Sequence, residues 1–349
     1  MLTFVASIFV FGLLVLIHEL GHFIVAKMVG IKVMEFSLGF GPKVAGVTGE
    51  ETQYNLRLLP LGGFVRMAGM ESDGETDEED ELRGFNKKTI SQRIAVIFAG
   101  PFMNFLLAAL LFALVFAFQG IPVATTVISE TPPDYPAFQA GLRPGDQILA
   151  INGERIENWD QLVLLIDERP EQNISVSVLR NGAEQQFNIH TVIDESGTGK
   201  IGIVPEQSTR KLGLIESLGQ GLVWTGRVTL MILDFLSQMI FGQAPADFGG
   251  PVRVVSEIGK AASVGFFFLL QLAAFLSINL GLFNLFPIPA LDGSRILFLF
   301  WEKLRGRPVD PVKENFIHLV GLGLLLLLMV VITYNDILSI FVSKNVPGQ

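Results

Sequence analysis

The sequence predicts an α-helical polytopic membrane protein with four transmembrane helices and one water-soluble α+β domain inserted among them. Three observations carry this. Half of the 349 residues are hydrophobic and only 17% are charged, where soluble domains average nearer 25% charged. Four stretches are apolar over the roughly 20 residues needed to cross a bilayer. Between them, about 120–205 loses this character and turns to short alternating runs and turn signals.

The four stretches are 2–28, 94–118, 266–286 and 316–337. The first lacks a basic n-region and a small-residue cleavage site, and it carries His18, Glu19 and His22. It therefore reads as a retained helix rather than a signal peptide. A fifth stretch, 214–241, contains Glu216, Arg227 and Asp234. Charges at a helix centre cost about 2.5–3.5 kcal/mol each, so 206–265 is expected to hold an amphipathic helix at the membrane surface.

Orientation follows from Lys and Arg. The first loop holds Lys32, Lys43, Arg57, Arg66, Arg83, Lys87 and Lys88; the loop after the third span holds Arg295, Lys303, Arg305, Arg307 and Lys313. The positive-inside rule puts both loops in the cytoplasm, with both termini and the α+β domain outside. Four spans keep the basic loops on one side, whereas five would separate them. The acidic run 71–81 reads as a solvated, mobile loop. A net charge of −9 with no basic stripe argues against nucleic acid as a partner. The chain has no Cys, so a metal site must use His, carboxylate or water.

In the α+β domain, 174–179 alternates, Asn181-Gly182 signals a hairpin, 186–189 alternates again, and 159–166 reads as a short amphipathic helix. Ala140-Gly-Leu-Arg-Pro-Gly-Asp146 followed by Ile148-Leu-Ala-Ile-Asn-Gly153 resembles a bacterial PDZ domain. Such domains bind extended chain ends by strand addition, and the resemblance sets Gly141 and Leu142 near that groove. A spacer or steric gate with no peptide ligand is the alternative.

The chemistry lies in the spans. His18 and His22 stand at i and i+4, on one helix face, and can share a tetrahedral metal. Glu19 is placed to act as general base toward a water the metal activates. Ionisable residues at membrane depth are costly and mark function. At 1.5 Å per residue His18 lies about 24 Å along its helix, in the cytoplasmic half. His190 belongs to the α+β domain, and His318 reads as an interfacial histidine starting the fourth span. The candidate third ligand is Asp292, in Asn284-Leu-Phe-Pro-Ile-Pro-Ala-Leu-Asp-Gly293, which closes the third span at the depth of the two histidines. Taken alone, Asp292 also reads as a turn or cap residue before Gly293.

The motif in the first span together with Asn284-x-x-Pro287-x-Pro289-x-Leu291-Asp292-Gly293 resembles the site-2 protease family, and within it the bacterial RseP-like members. Ala99-Gly-Pro-Phe-Met-Asn104, Phe40-Gly-Pro42 and Leu59-Pro-Leu-Gly-Gly63 are similar too. The resemblance implies one zinc ion ligated by His18, His22 and Asp292, Glu19 as general base, and substrate contacts at Asn284 and Pro287. It makes the stretch 36–67 a membrane-reentrant β element. It also implies single-pass membrane substrates such as anti-sigma factors or signal peptides, in a bacterial inner membrane. With one Pro144-Gly-Asp146 signature, the chain fits the single-PDZ branch. A membrane-anchored PDZ scaffold and a metal or proton transporter are the competing classes.

Overall fold

The computed structural model describes residues 1–70, 82–194, 197–243 and 249–345; the acidic run 71–81 lies outside them. The chain divides into two compact units, one of residues 1–117 with 213–349 and one of residues 118–212.

The first unit opens with α1 (Leu2–Met28), two long strands β1 (Val33–Thr48) and β2 (Gln53–Met67), and α2 (Ile90–Gln119). Among the described residues, four helices are long and apolar enough to cross a membrane: Leu2–Met28, Ile90–Gln119, Phe266–Asn284 and Val312–Leu338. Both strands fold back on themselves. Residues 33–38 pair with 63–67 on one side and with 53–56 on the other, and 43–48 also pair with 53–57. The local order is thus 63–67, 33–38, 53–57, 43–48, with 63–67 at an edge. The reversals fall at Gly39, Gly41 and Gly62, whose φ values of 89°, 84° and 97° are costly for residues with a Cβ. Phe40, Val44, Val47, Leu58 and Leu59 are exposed on the distal part of this element.

The second unit contains β3 (Ile121–Glu130), α3 (Pro136–Gln139), β4 (Gln147–Ile151), β5 (Glu154–Arg155), α4 (Trp159–Asp167), β6 (Asn173–Arg180), β7 (Ala183–His190), β8 (Val192–Ile193), β9 (Gly199–Lys200) and β10 (Val204–Arg210). The main sheet runs β10-β3-β4-β6-β7, with β5 against β4. Asn181 and Gly182, at φ 51° and 80°, make the two-residue turn that the dipeptide predicts. Leu162 and Ile166 of α4 pack with Ile128, Ile148, Val176 and Ile189 in the core. The Pro144-Gly145-Asp146 signature has a structural role here. Asp146 is 1% exposed, receives Arg180 Nε and Nη2 at 2.7 Å each, and receives the Arg143 amide at 2.8 Å.

The first unit resumes with α5 (Leu214–Ile240), α6 (Pro251–Val264), α7 (Phe266–Asn284), α8 (Asp292–Arg305) and α9 (Pro311–Asn345). Ser217, Gly221 and Thr225 form the buried stripe of α5. A Cβ at Gly221 would strike the Ala109 carbonyl of α2, so glycine sets this approach. Leu218, Leu222, Leu230 and Met231 stay exposed. Asp336 of α9 caps the start of α6, receiving the Gly250 and Arg253 amides at 3.1 and 3.0 Å. A core of Ala26, Ile31, Val33, Met67, Phe85, Val96, Ile97 and Leu299 ties the end of α1 and both ends of the β element to α2 and α8. Arg93 of α2 pairs with Glu302 of α8 beside it.

Burial alone would raise the Asp146 carboxyl, but the hydrogen bonds from Arg180 and Arg143 hold it below its ordinary range. Its contribution is complete above about pH 4, the unfolded value, and is lost as pH falls through the lower folded value. Asp146→Asn is expected to destabilise residues 118–212 by about 3 kcal/mol. The measurement is the urea midpoint for proteolysis of this unit in the full-length chain. The wild type should lose more stability than the variant between pH 7 and pH 3.

Candidate active site

The site begins where α1 and α2 touch. Gly21 lies against the Ala99 carbonyl, and Gly100 against the His22 ring, each so closely that a Cβ would collide. Gly21 on α1 and Gly100 on α2 therefore leave room for the helices to meet and for the imidazole of His22. Pro101 follows inside α2 and cannot donate to the carbonyl one turn back. The neighbouring Val96 carbonyl lies 2.8 Å from His22 Nδ1. A carbonyl only accepts, so Nδ1 carries the proton and Nε2 keeps its lone pair.

His18 is oriented from the same helix. Asn104 Nδ2 lies 3.1 Å from His18 Nδ1, and Asn104 is fully buried. Exchanging the amide N and O, which have nearly the same shape, would let Nδ1–H donate to Oδ1 and leave Nε2 free. Ser277 of α7 donates to the Asn104 carbonyl at 2.8 Å, and Gly281 brings α7 close to Pro101 and Asn104. Asn104 thus joins three helices at the metal-facing layer.

Asp292 arrives as the first residue of α8. Gly293 packs under the Leu285 and Phe286 carbonyls, where any Cβ would clash. The motif's glycine is what lets α8 fold back beneath α7. Asp292 Oδ2 stands 3.2 Å from His18 Nε2 and 3.3 Å from His22 Nε2, and the two Nε2 atoms are 3.3 Å apart. Asp292 Oδ2 is buried without a hydrogen-bond partner. Sides of this length belong to a tetrahedron whose corners lie about 2.0 Å from its centre, the Zn–N and Zn–O distance. The donor set fits zinc, with one corner left open.

A cleft of about 410 Å³ borders these atoms, lined also by Glu19, Gly62, Gly63, Phe64, Val65, Asn284, Ala290 and Arg295. Gly63 faces Glu19, since a Cβ there would lie 2.9 Å from Glu19 Cγ. The structure thus brings His18, His22, Asp292, Glu19 and Asn284 together. Pro287 is exposed and outside this lining. Leu142 is 1% exposed in the core of the second unit, and Gly141 sits over Phe187. A groove of about 210 Å³ in that unit runs instead between α4 and residues 199–203. Neither Gly141 nor Leu142 lines it, because the turn that carries them packs inward against Phe187 and the core. Asn104 and Arg295 were not picked out as site residues by sequence; the one available signal was Asn104, a polar side chain in an apolar span.

Two imidazoles and a carboxylate that could hold a metal ion, with a glutamate adjacent, are the groups a metal-dependent hydrolase site requires. Residues 6–328 match peptidase family M50. The chain is 37% identical to the zinc metalloprotease RasP of Geobacillus kaustophilus, covering 97% of this chain and 98% of that one. It is 34% identical to the regulator of sigma-W protease RasP of Bacillus subtilis, covering 97% and 99%. Over 24% of its length the chain is similar to the PDZ domain of an SdrC-like protein from Listeria monocytogenes, at 23% identity and a TM-score of 0.22, covering 87% of that one. The chain belongs to peptidase family M50, the site-2 protease family, and is a multi-pass membrane zinc metalloprotease. The scaffold and transporter readings fall away.

Gly100→Ala should push the His22 ring out of place, and Asn104→Leu should release the His18 tautomer. Each is expected to weaken zinc retention by about tenfold or more, as outer-shell changes do. Chelator competition on purified protein measures this, with far-UV circular dichroism to check that the helices remain.

Proposed function

We propose that this chain hydrolyses peptide bonds in or near the transmembrane segments of single-pass membrane proteins, as part of regulated intramembrane proteolysis. One zinc ion would be held by His18, His22 and Asp292. The observation that carries the reading is the triangle of ligand atoms beside Glu19, in a cleft bordered by an edge strand. Zinc, when bound, supplies a Lewis acid that polarises a carbonyl and makes water acidic enough to be deprotonated near neutral pH.

The remaining work falls to side chains and backbone. Glu19 takes the proton from the attacking water and returns it to the leaving amine, the usual duty of a general base. Asn284, at the end of α7 on the same cleft, donates its amide N–H to the substrate carbonyl or its developing charge. A transmembrane substrate is helical, so its carbonyls are hydrogen-bonded until it unwinds. Unwinding in lipid leaves backbone groups unpaired at several kcal/mol each. Residues 63–67 pair with 33–38 on one side only, and their free edge can take the extended substrate as an added strand. The exposed apolar tip around Phe40, Val44 and Leu58 supports a reentrant position for this element.

The positive-inside count supports cytoplasmic basic loops, with the termini and the PDZ-like unit outside. The sigma-W name of the Bacillus subtilis relative supports anti-sigma factors as the substrate type, with signal-peptide remnants as the second. The groove between α4 and residues 199–203 supports peptide binding by the PDZ-like unit, away from Gly141 and Leu142.

Glu19→Gln is expected to keep its zinc while cleavage of a co-expressed single-span substrate falls by about 10²–10⁴-fold or more. Asp292→Asn should lose zinc as well as activity. A fully active Glu19→Gln enzyme would remove the general-base assignment. Unchanged metal content in Asp292→Asn would remove the aspartate from the ligand set.

A further inference from the structure

The segment joining α7 to α8 contains a strained turn whose hold comes from another helix. Leu291 N–H donates to the Ile288 carbonyl at 3.1 Å, closing a four-residue turn over Ile288-Pro289-Ala290-Leu291. Pro289 fills its second position, and Ala290, at φ 77°, its third. This is the pattern of a type II turn, which calls for glycine or asparagine at the third position. An alanine in this region costs about 1–2 kcal/mol, and such residues persist where their surroundings impose the conformation.

The imposing group is His318 of α9. The Ala290 amide, which the turn's own closing bond leaves unused, donates to His318 Nδ1 at 3.0 Å. Since the amide donates, Nδ1 is the unprotonated ring nitrogen and the proton sits on Nε2. The imidazole is fixed in turn by an edge-on contact with Phe298 of α8, at 5.7 Å between ring centroids. One turn further along α9, Gly321 lies so close to Pro289 that a Cβ would collide. The turn then runs straight into α8: the Leu291 carbonyl receives Ser294 Oγ at 2.7 Å and the Ser294 amide at 3.2 Å. Asp292 lies between these anchors.

We propose that His318 is a positioning residue for Asp292. By holding the Ala290 amide, it keeps the turn in the left-handed conformation that aims the carboxylate at His18 and His22. The fourth span thereby becomes part of the metal site without touching it. The inference rests on reading His18, His22 and Asp292 as zinc ligands.

The test measures zinc affinity of the purified full-length protein by competition with a chromophoric chelator. His318→Phe keeps a ring against Phe298 and removes the Nδ1 acceptor, along with the Nε2 N–H that lies 3.8 Å from Glu314 Oε1; it should bind zinc about tenfold more weakly, within the range for outer-shell changes. His318→Asn sets an amide oxygen where Nδ1 stood and should bind close to wild type. Adding Ala290→Gly to His318→Phe removes the φ penalty and should recover part of the loss. Wild-type affinity in His318→Phe would overturn the proposal. So would equal losses in the Phe and Asn variants with no recovery from Ala290→Gly. Should the Phe variant not fold, His318→Asn decides alone, since loss of zinc there overturns the role and retention supports it. A wild-type chain that binds no zinc would instead overturn the three-ligand reading.

Discussion

Two imidazole nitrogens and a carboxylate oxygen stand 3.2–3.3 Å from one another, inside a bundle built largely from apolar side chains. Lone pairs crowded in this way, away from water, repel one another and lose hydration unless a cation compensates them. Much of the first unit can be understood as the means of holding that arrangement. Gly21 and Gly100 let α1 and α2 approach, Gly281 admits α7, and Gly293 folds α8 back. The Val96 carbonyl receives the His22 Nδ1 proton, and the Asn104 amide meets His18 Nδ1 on the far side of that ring.

The same constraint shapes the cleft. Glu19 shares a helix turn with His18, and Gly63 comes up against it from the β element. A side chain at position 63 would occupy the space next to the base. The edge strand 63–67 and the metal-facing atoms therefore address one volume, which also receives Asn284 from α7. On the proposed reading, hydrolysis of a helical substrate requires both a nucleophile and somewhere for the unwound backbone to make its hydrogen bonds. The edge residues Gly63, Phe64 and Val65 line the same cleft as Glu19.

The fourth span has a different character. Only 6% of its most apolar window is buried within the protein, yet it is fixed at two points. Asp336 caps α6 near one end, and His318 with Gly321 grips the turn before Asp292 near the other. Such a helix leaves most of its surface to lipid while transmitting its position to the metal site through one hydrogen bond and one close contact. The second unit is self-contained by comparison, with its own apolar core and the buried Asp146–Arg180 pair.

Much of this was legible in the amino-acid sequence because it depends on local spacing and hydropathy. An i, i+4 pair of histidines must share a helix face, four apolar runs of sufficient length must be buried in lipid or protein, and Asn181-Gly182 must turn. Asp292 could be paired with the histidines once the spans were counted. Other features depend on which atoms from distant segments finally meet, and no periodicity encodes that. Asn104 and Val96 acquire roles only when α1 lies against α2, and Pro287 is exposed outside the cleft that Asn284, Ala290 and Asp292 of the same motif line. Gly141 and Leu142 sit in a signature that looks like a binding loop, but the fold spends it on a buried ion pair. His318 read as an interfacial histidine until the turn at Ala290 showed what it holds. The side-chain types at the site were thus set by sequence, whereas their spacing, the His22 tautomer and the grip on the turn before Asp292 were decided by tertiary packing, because a lone pair is aimed by whatever binds the opposite side of its ring or chain.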